Sequence, residues 1–282
     1  MRKKKIFIFS VGRSDYDRYF PIINELNASK KTQVYLLLSK SHYLESLGST
    51  YQSIEKKFRI LKNNKMKNGK DLVERFSIDL TYIRKNIKKY KPDIIVVLGD
   101  RYEMMAAPIA AAPFQIPVVH LYGGAVTEGA TIDELSRHAI TKLSHSHYVL
   151  HEKYKQRLIN SLGEEKWRVK TVGMHALSEM RNLQLYQIKE IKKKFNLEEN
   201  KFILITFHPE TLNLTQIKEQ LKILFNSIKN LPFKFVITYP NADPKNNEII
   251  DYIENLKVNN KNFIVLKNCG RKLYYSLMKY AK

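Results

Sequence analysis

Short runs of β-branched and aromatic residues alternate with longer segments of helical period along the whole chain. Apolar runs at 5–11, 34–39, 93–99, 117–121, 147–150 and 169–172 predict strands. Between the second and third of these, Leu72, Phe76, Leu80, Ile83 and Ile87 recur at three- and four-residue steps, which predicts a helix whose apolar stripe is core and which stops before Pro92. A polar, lysine-rich helix is predicted within 173–200, and a second series of strands follows at 202–206, 233–238 and 263–266, each trailed by a helical stretch. This alternation is the pattern of parallel sheets covered by helices on both faces, so the class is α/β, doubly wound. The expected domains are 1–173 and 174–282. The second is expected to be incomplete, since it has few strands and the chain stops within an apolar helix carrying Leu273, Leu277 and Tyr280.

Composition narrows the classes. With 282 residues, 44% hydrophobic, and only 10 glycines and 9 prolines, a disordered or fibrous chain is excluded, and no repeat period is visible. The net charge of +22 invites a nucleic-acid reading. The excess is scattered in short runs such as 3–5, 88–89 and 192–194, however, without a basic stripe interleaved with aromatics, so no nucleic-acid partner is expected. The basic, then apolar start imitates a signal peptide but breaks at Arg13 and Asp15 and reads as a first strand. The longest apolar run, 104–119, is interrupted by Pro108, Pro113 and Pro117 and is shorter than the ~20 residues a span needs, so no membrane segment is expected. A single cysteine, Cys269, allows no internal disulfide, and a reducing cytoplasm is the expected compartment.

Four polar clusters fall at C-terminal strand ends, where open α/β sheets bind ligands. They are Gly12-Arg13-Ser14-Asp15-Tyr16, Gly99-Asp100-Arg101, His120-Leu121-Tyr122-Gly123-Gly124, and residues 206–211 with His208. A glycine turn with an arginine at a helix start suits a diphosphate, although Gly12 equally serves a plain turn. Asp100 follows the apolar run 95–98 and reads as a general base, a helix N-cap, or an ion-pair partner of Arg101. Asp133 and Glu134 open a helix, where capping carboxylates are common. His145 and His147 have a chelating spacing but no third ligand nearby, so a structural role is the better reading. His208 reads as a proton donor, an anion contact, or a loop histidine held by its neighbours. Walker, GxGxxG, GxSxG and HExxH patterns are absent from the sequence, which removes support from P-loop hydrolysis, a standard dinucleotide site, serine hydrolysis and zinc proteolysis.

Read together, the clusters resemble the hydrolysing UDP-N-acetylglucosamine 2-epimerases, in particular the branch serving sialic and legionaminic acid biosynthesis. The resemblance runs through residues 12–16, Ser41-His42 with 48–50, residues 99–103, the long stretch 120–145, residues 207–211, and Asn241 with Asp243. Its most specific piece is RHAITKLSH at 137–145. It implies a GT-B fold of two Rossmann-like domains, a UDP-sugar substrate, no NAD or catalytic metal, a homodimer, and a reaction that releases UDP and the free 2-epimer. It implies acid/base roles for Asp100 and for Asp133 or Glu134, and a role for His208 in diphosphate departure. Substrate contacts are implied at Arg13, Asp15, His42, Arg101, Tyr122, Gly123, Glu128, Arg137, His138, Asn241 and Asp243. The sequence departs from the family pattern at Tyr122 and Ala125, where an acid is often found, and Glu128 is a candidate replacement. The family also continues into a Gly-Asn-Ser-Ser-Ser-Gly turn beyond Lys282, which implies a C-terminally truncated member. The alternatives are a non-catalytic member and a GT-B glycosyltransferase.

Overall fold

The computed structural model of the chain describes residues 2–45, 49–62, 69–127, 132–174, 180–181, 183–208, 216–240 and 245–282. Two compact units are present, Met1–Ser178 and Glu179–Lys282.

The first unit is an all-parallel sheet of six strands, β1 (Lys4–Ser10), β2 (Thr32–Leu38), β3 (Ile94–Leu98), β4 (Val118–Leu121), β5 (Ser146–Val149) and β6 (Val169–Thr171). Their spatial order is β2-β1-β3-β4-β5-β6. All six predicted strands are found, with ends shifted by one or two residues.

Both faces of the central strands are buried because their apolar runs are continuous, and the period of two divides each run between two cores. Phe7, Phe9, Tyr35, Leu37, Ile95 and Val97 pack with Tyr82, Ile83 and Ile87 of α3 (Leu72–Tyr90) and the alanines of α4 (Ala106–Ala111). Ile6, Ile8, Leu36, Leu38, Val96 and Leu98 pack on the opposite face with Tyr16, Tyr19 and Ile23 of α1 (Arg13–Ala28), and Ile54 of α2 (Tyr51–Glu55) joins them. The predicted stripe of α3 is core in its C-terminal half. Its second turn, however, carries the buried acid Asp79 beside the partly buried Phe76 and Leu80.

The unit is completed by α5 (Ile132–Lys142) and α6 (Glu152–Leu162). His147, one of the two closely spaced histidines, is buried against Glu164 with Nε2 to Oε2 at 3.2 Å, and no metal-holding cluster occurs among the described residues.

The second unit is a three-stranded parallel sheet, β7 (Phe202–Thr206), β8 (Lys234–Thr238) and β9 (Phe263–Leu266), in the order β7-β8-β9. Small as it is, helices cover both faces. Phe235 and Ile237 pack with α8 (Ile217–Ile228) and α9 (Asn246–Asn259), while Phe202 and Val236 pack with α7 (Ile188–Phe195) and α10 (Gly270–Tyr280). Among the described residues, no helix is long and apolar enough to cross a membrane.

Candidate active site

In the first sheet the strand order reverses between β1 and β3, and the helices that follow them lie on opposite faces. Loops leaving these two strands therefore diverge at their C-terminal ends and leave a crevice, the usual ligand position in such a sheet. Residues 11–14 and 99–103 flank it, and 122–127 lie beside it at the end of β4.

The centre of the polar arrangement is Arg137, on α5, which is only 2% exposed. Its Nη2 pairs with the Asp100 carboxylate and donates to Thr127 Oγ1 at 2.7 Å, while Nη1 pairs with Glu134 and donates to the Ala125 carbonyl at 2.9 Å. A planar guanidinium donating in several directions at once fixes the groups around it. It thus joins the end of β3, the 122–127 loop and the first turn of α5. Asp100 is paired with Arg137 rather than with Arg101, and keeps a third of its side chain exposed toward the crevice. The short helical turn that follows it, Tyr102–Met105, has Arg101 at its N-cap, so Asp100 does not serve as that cap.

Glu134 is saturated with donors. It accepts from the Thr127 amide at 3.0 Å, from Arg157 Nη2 at 2.8 Å and from Arg137, and its Oε1 lies 3.1 Å from His138 Nε2. Burial opposes its charge, but these hydrogen bonds and the two arginine charges outweigh burial and hold its pKa below the ordinary value. Asp133, its neighbour on the same turn, is half-buried.

Other expected site residues are turned to supporting the loops. Asp15 is buried and its Oδ2 accepts from the Val11 and Gly12 amides at 3.0 and 3.1 Å, so it holds the turn between β1 and α1. Burial raises its pKa, against the pull of Arg101, the two amides and Arg18. Arg101 lies within 3.9 Å of the buried Glu103. His42 is fully buried, with Nε2 3.0 Å from Ser10 Oγ and Nδ1 2.8 Å from Thr50 Oγ1, and burial, reinforced by Arg101, lowers its pKa to about 3 against the pull of the Ser10 backbone. Arg13 is half-buried at the first position of α1.

Tyr122 is buried with a left-handed φ of 69°, an unusual conformation for a non-glycine residue, and burial raises its hydroxyl pKa to about 12. Gly123 lies against His120 and Thr141, where a Cβ would come 3.1 Å from His120 Nδ1. His208 is exposed and follows β7 in the second unit. Glu128, Asn241 and Asp243 lie outside the described residues.

Sequence reasoning missed Arg157, whose Nη1 also donates to the Ala125 carbonyl at 2.7 Å, and did not single out His120 as a site residue. It also missed the buried Asp79, to which Ser39 Oγ donates at 2.8 Å, and Glu103, which pairs with Arg75 at 3.8 Å. A charged residue in register with an apolar helical stripe was the available signal for Asp79.

A doubly wound first sheet with a carboxylate–arginine network at its strand ends, joined to a second parallel sheet, defines a GT-B-like α/β protein. The sequence profile of the UDP-N-acetylglucosamine 2-epimerase family matches residues 24–282, and the chain belongs to that family. It is 34% identical over 289 residues to the GDP/UDP-N,N'-diacetylbacillosamine 2-epimerase (hydrolyzing) of Campylobacter jejuni, an alignment that takes in 100% of this chain and 75% of that protein. The UDP-N,N'-diacetylbacillosamine 2-epimerase (hydrolyzing) of Legionella pneumophila is 29% identical over 260 residues, 89% of this chain and 67% of that one. The crystal structure of UDP-GlcNAc 2-epimerase from Neisseria meningitidis bound to UDP-GlcNAc shares the fold, with a TM-score of 0.79 and 23% identity over 98% of this chain and 76% of that chain.

Proposed function

We propose that the chain is a hydrolysing 2-epimerase acting on a UDP-N-acetylglucosamine-type sugar nucleotide, with N-acetylmannosamine or its 2,4-diacetamido trideoxy analogue as the product class. The observation that carries this reading is the pairing of the part-exposed Asp100 with the buried Arg137 at the crevice of a chain belonging to this family. C2–H of a hexopyranoside is weakly acidic, so its removal needs a fixed base, and departure of UDP needs its negative charge met. In the first step a carboxylate takes the C2 proton, the C1–O bond breaks with its electron pair leaving on UDP, and a C1=C2 double bond forms. In the second, water adds its hydroxyl to C1 while an acid returns a proton to C2 from the opposite face. The sum is sugar nucleotide plus water to free 2-epimer plus UDP, with no redox change.

Asp100 is the first carboxylate in this reading and Asp133 the second. Glu134 is set aside because arginines and a backbone amide already hold it ionised. Arg13 and His208 meet the diphosphate, Arg137 and His138 border the sugar, and Glu128, Asn241 and Asp243 complete the substrate contacts. Asp15, His42, Arg101, Tyr122 and Gly123 shape the loops that do so. The reading includes a homodimer, a cytoplasmic location and a place in nonulosonic acid biosynthesis; the names of the Campylobacter and Legionella relatives support its diacetamido sugar nucleotide and its hydrolysing reaction.

The test is proton NMR of the chain with UDP-N-acetylglucosamine, and separately with its diacetamido trideoxy analogue, in deuterated buffer. A C2-deuterated free 2-epimer together with UDP is the expected result. UDP release without C2 label, or no turnover of either sugar, overturns the reading.

A further inference from the structure

Below the Asp100–Arg137 pair lies a buried bridge that the proposed chemistry does not touch. His120, in β4, is fully buried, with Nε2 2.8 Å from the carbonyl oxygen of Gly99, the residue before Asp100. Its Nδ1 is 3.2 Å from Thr141 Oγ1, and that hydroxyl is also 2.9 Å from the carbonyl oxygen of Arg137, one turn earlier in α5. The ring therefore links the backbone carrying the carboxylate to the backbone carrying the guanidinium.

We propose that His120, acting with Thr141, is a positioning residue that sets the spacing of Asp100 and Arg137. This rests on the reading of that pair as part of the catalytic site.

Proton counting defines the bridge. The Gly99 carbonyl only accepts, so Nε2 carries a proton. Burial, with help from His147 and Arg137, lowers the pKa of His120 to about 4 despite the Gly99 bond and Asp100, so the ring is neutral near pH 7 and Nδ1 is an acceptor. Thr141 has one hydroxyl proton for two acceptors, Nδ1 and the Arg137 carbonyl. The hydroxyl lies 2.9 Å from the Arg137 carbonyl and 3.2 Å from Nδ1 and shares its one proton between them, so the bridge runs from Arg137 and Thr141 of α5 through His120 to Gly99.

The surroundings leave the ring one position. A Cβ at Gly123 would meet His120 Nδ1 at 3.1 Å, Cε1 at 3.2 Å and Thr141 Oγ1 at 3.3 Å, so the residue over the bridge is one without a side chain. The Gly99 amide in turn donates to the Leu121 carbonyl at 2.9 Å, so the end of β3 is fastened to β4 through both backbone groups of Gly99. Misplacing a reacting group by about 1 Å costs on the order of 100-fold in rate. A buried, uncharged bridge on the peptide before Asp100 is placed to prevent such a shift.

The test uses the 282-residue chain and four proteins: wild type, His120→Phe, His120→Gln and Thr141→Val. The first readout needs no turnover: exchange with water of the buried Arg137 guanidinium protons, by arginine-selective nitrogen NMR. Amide protection in β1 reports whether the fold is intact. The second readout is kcat and KM for UDP release from UDP-N-acetylglucosamine.

In His120→Phe the guanidinium protons exchange at least about tenfold faster and kcat falls about 10- to 100-fold, with KM little changed. In His120→Gln, whose amide retains a donor for the Gly99 carbonyl, most of the protection and rate returns. Thr141→Val, nearly isosteric, repeats the loss in weaker form and decides the matter if His120→Phe does not fold. Guanidinium exchange unchanged in an intact His120→Phe or Thr141→Val variant overturns the proposal, as does faster exchange with an unchanged kcat. If the wild-type chain turns over neither UDP-N-acetylglucosamine nor its diacetamido trideoxy analogue, the reading of Asp100 as a base fails, and proton exchange alone decides whether His120 sets the pair.

Discussion

Arg157 places Nη2 2.8 Å from Glu134 Oε1, joining α6 to the first turn of α5 directly beside the crevice. With Arg137, the Thr127 amide and His138 on the same carboxylate, Glu134 is a structural anion. Glu134→Gln is expected to destabilise the fold by about 2–3 kcal/mol, because the part-buried Arg157 loses its counter-charge and the buried Arg137 keeps only Asp100. Urea unfolding measures it. The folded pKa is depressed, so this contribution is full above the ordinary value of 4.5 and is lost as the pH falls through the folded value. The wild type should lose stability faster than the variant on acidification below pH 4.5.

Asp100 and Asp133 should behave in the opposite way. Asp100→Asn and Asp133→Asn are each expected to lower kcat for UDP release by about 100- to 10,000-fold, the range for loss of a general acid or base. The unfolding midpoint stays near wild type in Asp133→Asn, and falls in Asp100→Asn only as far as one lost carboxylate on Arg137 requires, since Glu134 remains paired with it. Steady-state kinetics beside a urea titration separates the cases. An active Asp133→Asn with an inactive, stably folded Glu134→Gln would reverse the assignment.

Asp79 imposes a stability cost that grows with pH. It is buried, and burial, together with nearby Glu103, raises its pKa from 3.8 to about 8 against the Ser39 hydrogen bond and Arg75. The folded state therefore holds a proton that the unfolded state releases, and stability declines as the pH rises from about 3.8 to about 8. Asp79→Asn keeps an acceptor for Ser39 and removes the ionisation. It should gain on wild type as the pH rises from 4 to 8, by at most about 1.4 kcal/mol per pH unit, with no advantage at pH 4. Chemical denaturation at the two pH values tests this.

His42 acts at acid pH. Its pKa falls from 6.5 to about 3, so between these values the unfolded chain takes up a proton that the folded chain refuses. Its contribution is full above pH 6.5 and declines as the pH falls. Replacement by Asn should flatten the pH dependence of unfolding free energy between pH 6 and pH 4 by up to about 1.4 kcal/mol per pH unit. An unchanged slope would place the proton elsewhere.

Gly124 has a left-handed φ of 77°, and a Cβ there would lie 2.6 Å from the Tyr154 carbonyl oxygen. Since that neighbour is backbone, it cannot swing aside. Gly124→Ala is expected to cost about 2–4 kcal/mol, from the strained φ and the displaced start of α6, and a thermal melt should register it.

The nine strands found among the described residues, and their alternation with helices, were legible in the sequence because a doubly buried strand needs an unbroken apolar run and a covering helix needs a stripe. The clusters at the ends of β1, β3, β4 and β7 were legible for a related reason: polar and glycine residues appear where those runs stop. Asp79 was passed over because one acid in a stripe of five apolar positions leaves the helical period intact. Which partner each polar residue takes could not be read in the same way.

The class, the strand ends and the family motifs at 12–16, 99–103 and 120–145 follow from the order of amino acids, because burial pattern and turn chemistry are local properties of a chain. It took the folded arrangement to pair Asp100 with Arg137 instead of its neighbour Arg101, to set Glu134 against Arg157, and to put Asp15 and His42 inside the loops they hold. Asp100 and Arg137 are 37 positions apart and meet through the side-by-side pairing of β3 and β4 and the docking of α5. Parallel strands are joined through crossover segments, so the residues gathered at one end of the sheet come from distant parts of the chain, and their contacts depend on strand order and helix placement.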